Sequence, residues 1–197
     1  MALETHTHFY GVETPEGRKQ LAFQMWQRSA SAAAPILICV HGLTRNRHDF
    51  DQIASALTSH YRVVTVDMIG RGDSDWLSDP THYGYPLYIS IMQQLMAHLA
   101  DITGEDRFDW LGTSMGGLIG MMIAASPATQ IDRLVLNDIG PEIPVAGLKR
   151  LADYVGQAPA FSSLGEVEDY LRVIAAGFGQ LTDDQWRTMA THAARKD

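Results

Sequence analysis

Hydrophobic residues fall along this chain in short dense runs, separated by stretches where they recur every three or four positions. The runs Ile36–Val40, Tyr61–Val66, Phe108–Leu111 and Leu134–Leu136 are too short for helices, and each predicts a buried strand. Leu134-Val135-Leu136 reads as a strand suited to burial on both faces and flanking on both sides, but the sheet lacks its last strands, so this one is expected to be left as an edge with unpaired amides beside an apolar face. Two further strands are expected near Thr7–Val12 and Gln20–Arg28, with Pro15-Glu16-Gly17 as the turn between them. An alanine-rich connector ending at Pro35 leads to the third. Helical spacing predicts a helix behind Asn46 as N-cap, with Phe50, Ile53, Ala54 and Leu57 on one face. A second helix is expected from about Leu87 to Ala100 and a third after Gly116. Apolar strands separated by helices imply an α/β fold, doubly wound around a mostly parallel sheet, with an antiparallel hairpin at its start.

After Pro141 the alternation stops. Three helical segments follow with no strand between them. Their stripes are Leu148, Leu151, Tyr154 and Val155; then Leu164, Val167, Leu171, Ile174 and Phe178; then Trp186 and Met189. Ser163 with Glu166, and Thr182 with Gln185, have the spacing of capping boxes. The expected division is a core over residues 1–140 and the start of a helical cap over residues 141–197. Ordinary crossover helices are the alternative for the second part.

Ligand sites in such sheets lie beyond the carboxyl ends of the strands. Here those ends carry His41-Gly42-Leu43, Asp67 to Asp75, Gly112-Thr113-Ser114-Met115-Gly116 and Asn137-Asp138. The pentapeptide sits between the run Phe108–Leu111 and a helical stretch, so its serine falls where a strand turns sharply into a helix. A glycine two places to either side of Ser114 relieves crowding at a backbone too tight for Cβ atoms. The first amides of a helix also point toward that hydroxyl.

Three of these features, His41-Gly42, Asp67 with Gly70–Asp75, and Gly112–Gly116, in this order, resemble the α/β-hydrolase fold superfamily in its group of capped, esterase-like serine hydrolases. The resemblance covers residues 1–140 and the onset of the cap. It implies Ser114 as nucleophile, with the backbone N–H groups of Met115 and Leu43 as oxyanion donors. It also implies that the catalytic histidine comes last in the chain, so His41 is expected to fix the oxyanion loop through a hydrogen bond. Arg71 is a candidate brace for that loop, and the Gly70–Asp75 turn is expected to be structural. His6, His8, His48, His60, His82 and His98 all precede the serine and are read as surface or packing residues.

A serine hydroxyl needs a base to take its proton. Beyond Ser114 the one histidine is His192, in the third cap-like helix, and Asp138 holds a second acid position known in the superfamily. In the family the histidine sits on a loop after the last strand and the acid usually after the strand before it; nothing beyond Leu136 reads as either strand, and Asp138 also suits a turn capped by a side chain. The chain ends at Arg195-Lys196-Asp197, and it is therefore expected to be a hydrolase truncated at its C-terminus within the cap, without its catalytic histidine. The leading expectation is hydrolysis of a carboxylic ester or similar small acyl substrate through an acyl-serine intermediate. A ligand-binding or structural module that keeps the fold without turnover is the alternative.

Composition narrows this further. The net charge of −8, from 15 basic and 23 acidic residues, argues against nucleic acid or an anionic membrane as partner. A small-molecule substrate is expected, and self-association through an exposed sheet edge stays open. No apolar run reaches spanning length and the start lacks signal-peptide character, so the expected location is cytoplasmic. No cofactor is expected: there is no phosphate loop with its lysine and no Cys/His cluster of ligand spacing, so no metal is expected either. Cys39, the one cysteine, reads as a small buried side chain on a strand.

Overall fold

The computed structural model describes residues 2–28, 33–152, 155–156 and 159–194. Tyr154 and the terminal Arg195-Lys196-Asp197 lie outside the described residues, as does the side chain of Leu151. Contacts divide the chain into two compact units, Met1–Ile143 and Pro144–Asp197.

In the first unit, β1 (Leu3–Thr14) and β2 (Gly17–Arg28) form a long antiparallel hairpin that opens the sheet. It continues with β3 (Ile36–Val40), β4 (Arg62–Val66), β5 (Phe108–Thr113) and β6 (Ile131–Asn137), in the spatial order β1-β2-β4-β3-β5-β6. β2 meets β4 antiparallel, and every pairing from β4 through β3 and β5 to β6 is parallel. The helices are α1 (Asp51–Leu57), α2 (Tyr85–Thr103) and α3 (Met115–Ala124). This is the doubly wound, mostly parallel sheet expected of the sequence.

β3 shows why its run is apolar throughout. Ile36, Ile38 and Val40 belong to the cluster formed with α2 and α3, while Leu37 and Cys39 belong to the cluster formed with α1. Alternate side chains serve opposite faces, and both faces are covered. Cys39 is fully buried, and burial pushes its thiol well above the usual range.

One expectation needs correction. α1 is preceded by a 3₁₀ turn over Arg47–Phe50, capped by Asn46, whose Oδ1 accepts the His48 N–H at 3.1 Å. Phe50, Ala54 and Leu57 still pack in one cluster across the junction, but the expected face does not include Ile53. Phe50 and Ala54 are buried, but Ile53 is 42% exposed. β6 is the exposed sheet edge expected of the sequence. It pairs with β5 and is the last strand in the order, and Val135 is 53% exposed. The cluster beneath α1 reaches Leu111 on β5 and does not include Val135. An apolar run signals a surface that needs cover, but it does not say which element supplies it.

In the second unit are α4 (Val145–Ala152), α5 (Leu164–Ile174) and α6 (Asp183–Ala193). α5 and α6 bury Val167, Leu171, Ala175, Trp186 and Ala190 together. Only the middle of the predicted α5 stripe is buried; Leu164, Ile174 and Phe178 are exposed, as is Leu148 on α4. The Thr182/Gln185 capping box is complete. At α5 only half of the expected box forms. Ser163 Oγ accepts the Glu166 N–H at 3.3 Å, but the Glu166 carboxylate turns to Ser162, accepting its N–H at 2.8 Å and its hydroxyl at 2.7 Å. Among the described residues, no helix is long and apolar enough to cross a membrane.

Candidate active site

The turn from β5 into α3 is set by close backbone packing. A Cβ on Gly112 would lie 2.4 Å from the Gly116 backbone, and one on Gly116 would lie 2.0 Å from the Val40 carbonyl oxygen. With no side chain at either position, the first turn of α3 drops onto the ends of β5 and β3. Trp110 locks it from below, its indole N–H donating to the Gly116 carbonyl at 3.0 Å. Between the glycines Ser114 takes φ 47° and ψ −110°, a conformation that costs a non-glycine residue of order 1–3 kcal/mol. Its N–H donates to the Asn137 carbonyl at 3.0 Å and its carbonyl accepts the Leu118 N–H at 3.0 Å. The corner is strained but tied at both ends, and Ser114 is half-buried.

A planar trans peptide points its N–H opposite to its C=O. Because the Ser114 carbonyl is turned into α3, the Met115 N–H points outward at the helix N-terminus. The same logic governs the loop after β3. The Gly42 carbonyl is held by the Arg45 N–H at 3.1 Å and by Nδ1 of His41 at 2.7 Å. That fixes the direction of the Leu43 N–H on the same peptide plane. A Cβ on Gly42 would lie 3.8 Å from the Ser114 Cβ, so this loop runs directly beside the serine. The structure thus brings together Ser114, Met115 and the Gly42-Leu43 peptide.

His41 is spent on this arrangement. Its Nε2 lies 3.1 Å from the Met68 N–H and must accept from it, so Nδ1 carries the proton donated to Gly42. Complete burial holds its pKa down to about 4, and the ring is neutral near pH 7. With both nitrogens engaged it is a fixture of the loop.

Behind the loop lies a buried ionic cluster without a clear sequence signature. Asp67, at the end of β4, accepts the Arg47 N–H at 2.7 Å and the Asp73 N–H at 2.9 Å, and it pairs with the Arg47 guanidinium. Arg47 also reaches Asp73 at 2.6 Å. Burial pulls the Arg47 pKa down, but the two carboxylates outweigh it and the net shift is upward. Gly72 has φ 52°, and a Cβ there would lie 2.1 Å from the Asp67 carboxylate. Ser74 and Asp75 close the turn onto β2: Ala22 N–H donates to Ser74 Oγ at 2.8 Å and Gln20 N–H to Asp75 at 2.7 Å. The Gly70–Asp75 turn is structural, as its composition implied. The role of Arg47 could not be read beforehand, since an arginine in a polar loop gives no sign that it will be buried.

Asp138 sits just past β6, exposed and at φ 53°. His192 falls on α6, in the second unit.

Comparisons with known proteins establish the family and the fold. A family model described as alpha/beta hydrolase fold matches residues 35–176. The chain is 42% identical over 189 residues to a 3-hydroxybutyrate-oligomer hydrolase of Cupriavidus necator, covering 96% of this chain and 62% of that protein. It is 29% identical over 175 residues to a pimeloyl-[acyl-carrier protein] methyl ester esterase of Photobacterium profundum, covering 87% and 59%. The crystal structure of an alpha/beta hydrolase from Novosphingobium aromaticivorans superposes with a TM-score of 0.83 at 33% identity, over 96% of this chain and 64% of that one. The chain therefore spans a little under two thirds of the length of these proteins.

Proposed function

The chain belongs to the alpha/beta hydrolase fold family, and from that premise we propose that it carries the nucleophilic half of a serine esterase site. In this reading Ser114 Oγ attacks the carbonyl carbon of a small ester. The negative charge on the carbonyl oxygen is received by the N–H groups of Met115 and Leu43. The tetrahedral intermediate collapses, the alcohol leaves with a proton, and the acyl group stays on Ser114. Water then adds to the acyl-enzyme and releases the acid, restoring the hydroxyl. We assign no described residue as the general base that carries the proton through these steps. Residues 141–197 are read as the onset of a cap.

The observation that carries the proposal is the Ser114 corner. A non-glycine residue is held at positive φ by two glycines that cannot be replaced, beside a loop whose peptide plane is fixed by His41 and Arg45. Such strain persists only where its surroundings over-determine it, and it clusters at functional sites. For substrate, the similarity to a 3-hydroxybutyrate-oligomer hydrolase favours esters of short hydroxy acids.

The test is release of 3-hydroxybutyrate from its linear dimer, alongside p-nitrophenyl butyrate as an activated ester. An oxyanion hole and binding alone leave about 10³–10⁴-fold acceleration over water in proteases stripped of their triad. Turnover above that level, falling to it in Ser114→Ala, is expected. Hydrolysis equal in Ser114→Ala and the parent chain would contradict the proposal and favour a binding module that keeps the fold.

A further inference from the structure

We propose that Arg71 is the positioning residue of the candidate oxyanion hole, one guanidinium that fastens both residues whose amides form it. The inference rests on the assignment of Leu43 and Met115 as donors. Arg71 Nε donates to the Leu43 carbonyl at 3.1 Å, and Nη2 lies 3.9 Å from the Met115 sulfur. The rest of the group is pinned elsewhere. Nη1 donates to the Ile69 carbonyl and to the Tyr88 hydroxyl, each at 2.9 Å. The guanidinium carbon stands 5.2 Å from the Tyr88 ring centroid and 5.8 Å from that of Tyr83.

Those two tyrosines are themselves fixed. Tyr88 is buried on α2, and the Tyr83 hydroxyl accepts the Leu77 N–H at 2.7 Å. Gly70 lets Tyr83 close down on the segment carrying Arg71, for a Cβ there would lie 2.6 Å from its ring. Arg71 is thus a rigid strut from α2 and the 77–83 loop to Leu43.

The consequence follows from peptide geometry. The Gly42 carbonyl is held by His41 and Arg45, which aims the Leu43 N–H; the Leu43 carbonyl is held by Arg71, which fixes the next plane. With both planes flanking Leu43 anchored, its N–H cannot swing away when charge develops on the substrate oxygen. A donor already in place costs no reorganisation during the reaction. Arginine suits the task because its planar fork reaches several acceptors at once, which a lysine ammonium on a flexible stem does not.

The experiment compares the full chain with Arg71→Met and Arg71→Lys by amide hydrogen exchange and by hydrolysis of p-nitrophenyl butyrate. In Arg71→Met, exchange in peptides covering residues 41–46 should rise at least about tenfold, while peptides from β3 and β5 stay unchanged. The rate kcat should fall by about 10²–10³, the loss typical of one oxyanion donor, with KM little altered. Arg71→Lys should fall between. Unchanged exchange in 41–46 would overturn the proposal. So would loosening spread through β3 and β5, which would make Arg71 a general fold residue. If the parent and Ser114→Ala hydrolyse the ester equally, the esterase reading fails, and the exchange measurement still decides whether Arg71 places Leu43.

Discussion

Two corners at the carboxyl ends of the strands flanking β3 are held by opposite means. The β5 corner, residues 112–116, is built by the absence of side chains: Gly112 and Gly116 let backbones meet at distances no Cβ permits. The loop after β4 is built by charge: Asp67 accepts two backbone N–H groups and forms a buried ion pair with Arg47, which the exposed Asp73 joins from outside. One corner presents the candidate nucleophile, and the other ties down the loop after β4. Steric contact fixes position at any pH or salt concentration, whereas buried ions hold a loop only while every charge is matched. The comparison explains why the candidate nucleophile is mounted on the glycine corner.

The comparison can be broken most severely at Asp67. Asp67→Ala removes the buried partner of a buried guanidinium and is expected to cost about 3–5 kcal/mol, because Arg47 is left with the exposed Asp73 alone and two backbone N–H groups lose their acceptor. Urea unfolding should show it as a lower midpoint. Gly116→Ala attacks the other corner. With a Cβ 2.0 Å from the Val40 oxygen, a loss of about 3 kcal/mol is expected, at the upper end of overpacking costs, together with loss of Ser114 reactivity. A variant of full stability and full reactivity would show that the corner is not sterically locked.

The smallest effect is a matter of pH. The folded pKa of His41, about 4, lies below its ordinary value near 6.5. Between these values the unfolded chain binds a proton that the folded chain refuses. Stability is therefore complete above about pH 6.5 and is lost as pH falls toward 4, by about 3 kcal/mol at most. Urea midpoints measured across that range should slope downward toward acid, and the slope should flatten in His41→Asn. An equal slope in both would assign the pH dependence to other groups.

Much of this was legible in the chain. The apolar runs gave the strands because both faces of β3 are covered, and the spacing of Gly112, Ser114 and Gly116 gave the corner because the constraint is local. The parts that were not legible depend on partners distant in sequence. Ile53 lies off the face shared by Phe50, Ala54 and Leu57, and helical spacing alone does not say how wide a stripe the sheet will cover. The burial of Arg47 depends on Asp67, twenty residues away in the chain. Arg71 was named as a candidate brace of the loop after β3 and does donate to Leu43, but its partners on α2 and at the start of α3 are encoded by no linear spacing.

The central claim is that the Ser114 hydroxyl faces a carbonyl-binding site flanked by the Leu43 and Met115 amides. Reaction with a fluorophosphonate, followed by mass-spectrometric mapping of the adduct, tests this most directly. The account predicts a single phosphonyl adduct on Ser114, absent in Ser114→Ala and slowed in Arg71→Met. An adduct on another residue, or none at Ser114 while the folded chain remains intact, would contradict it.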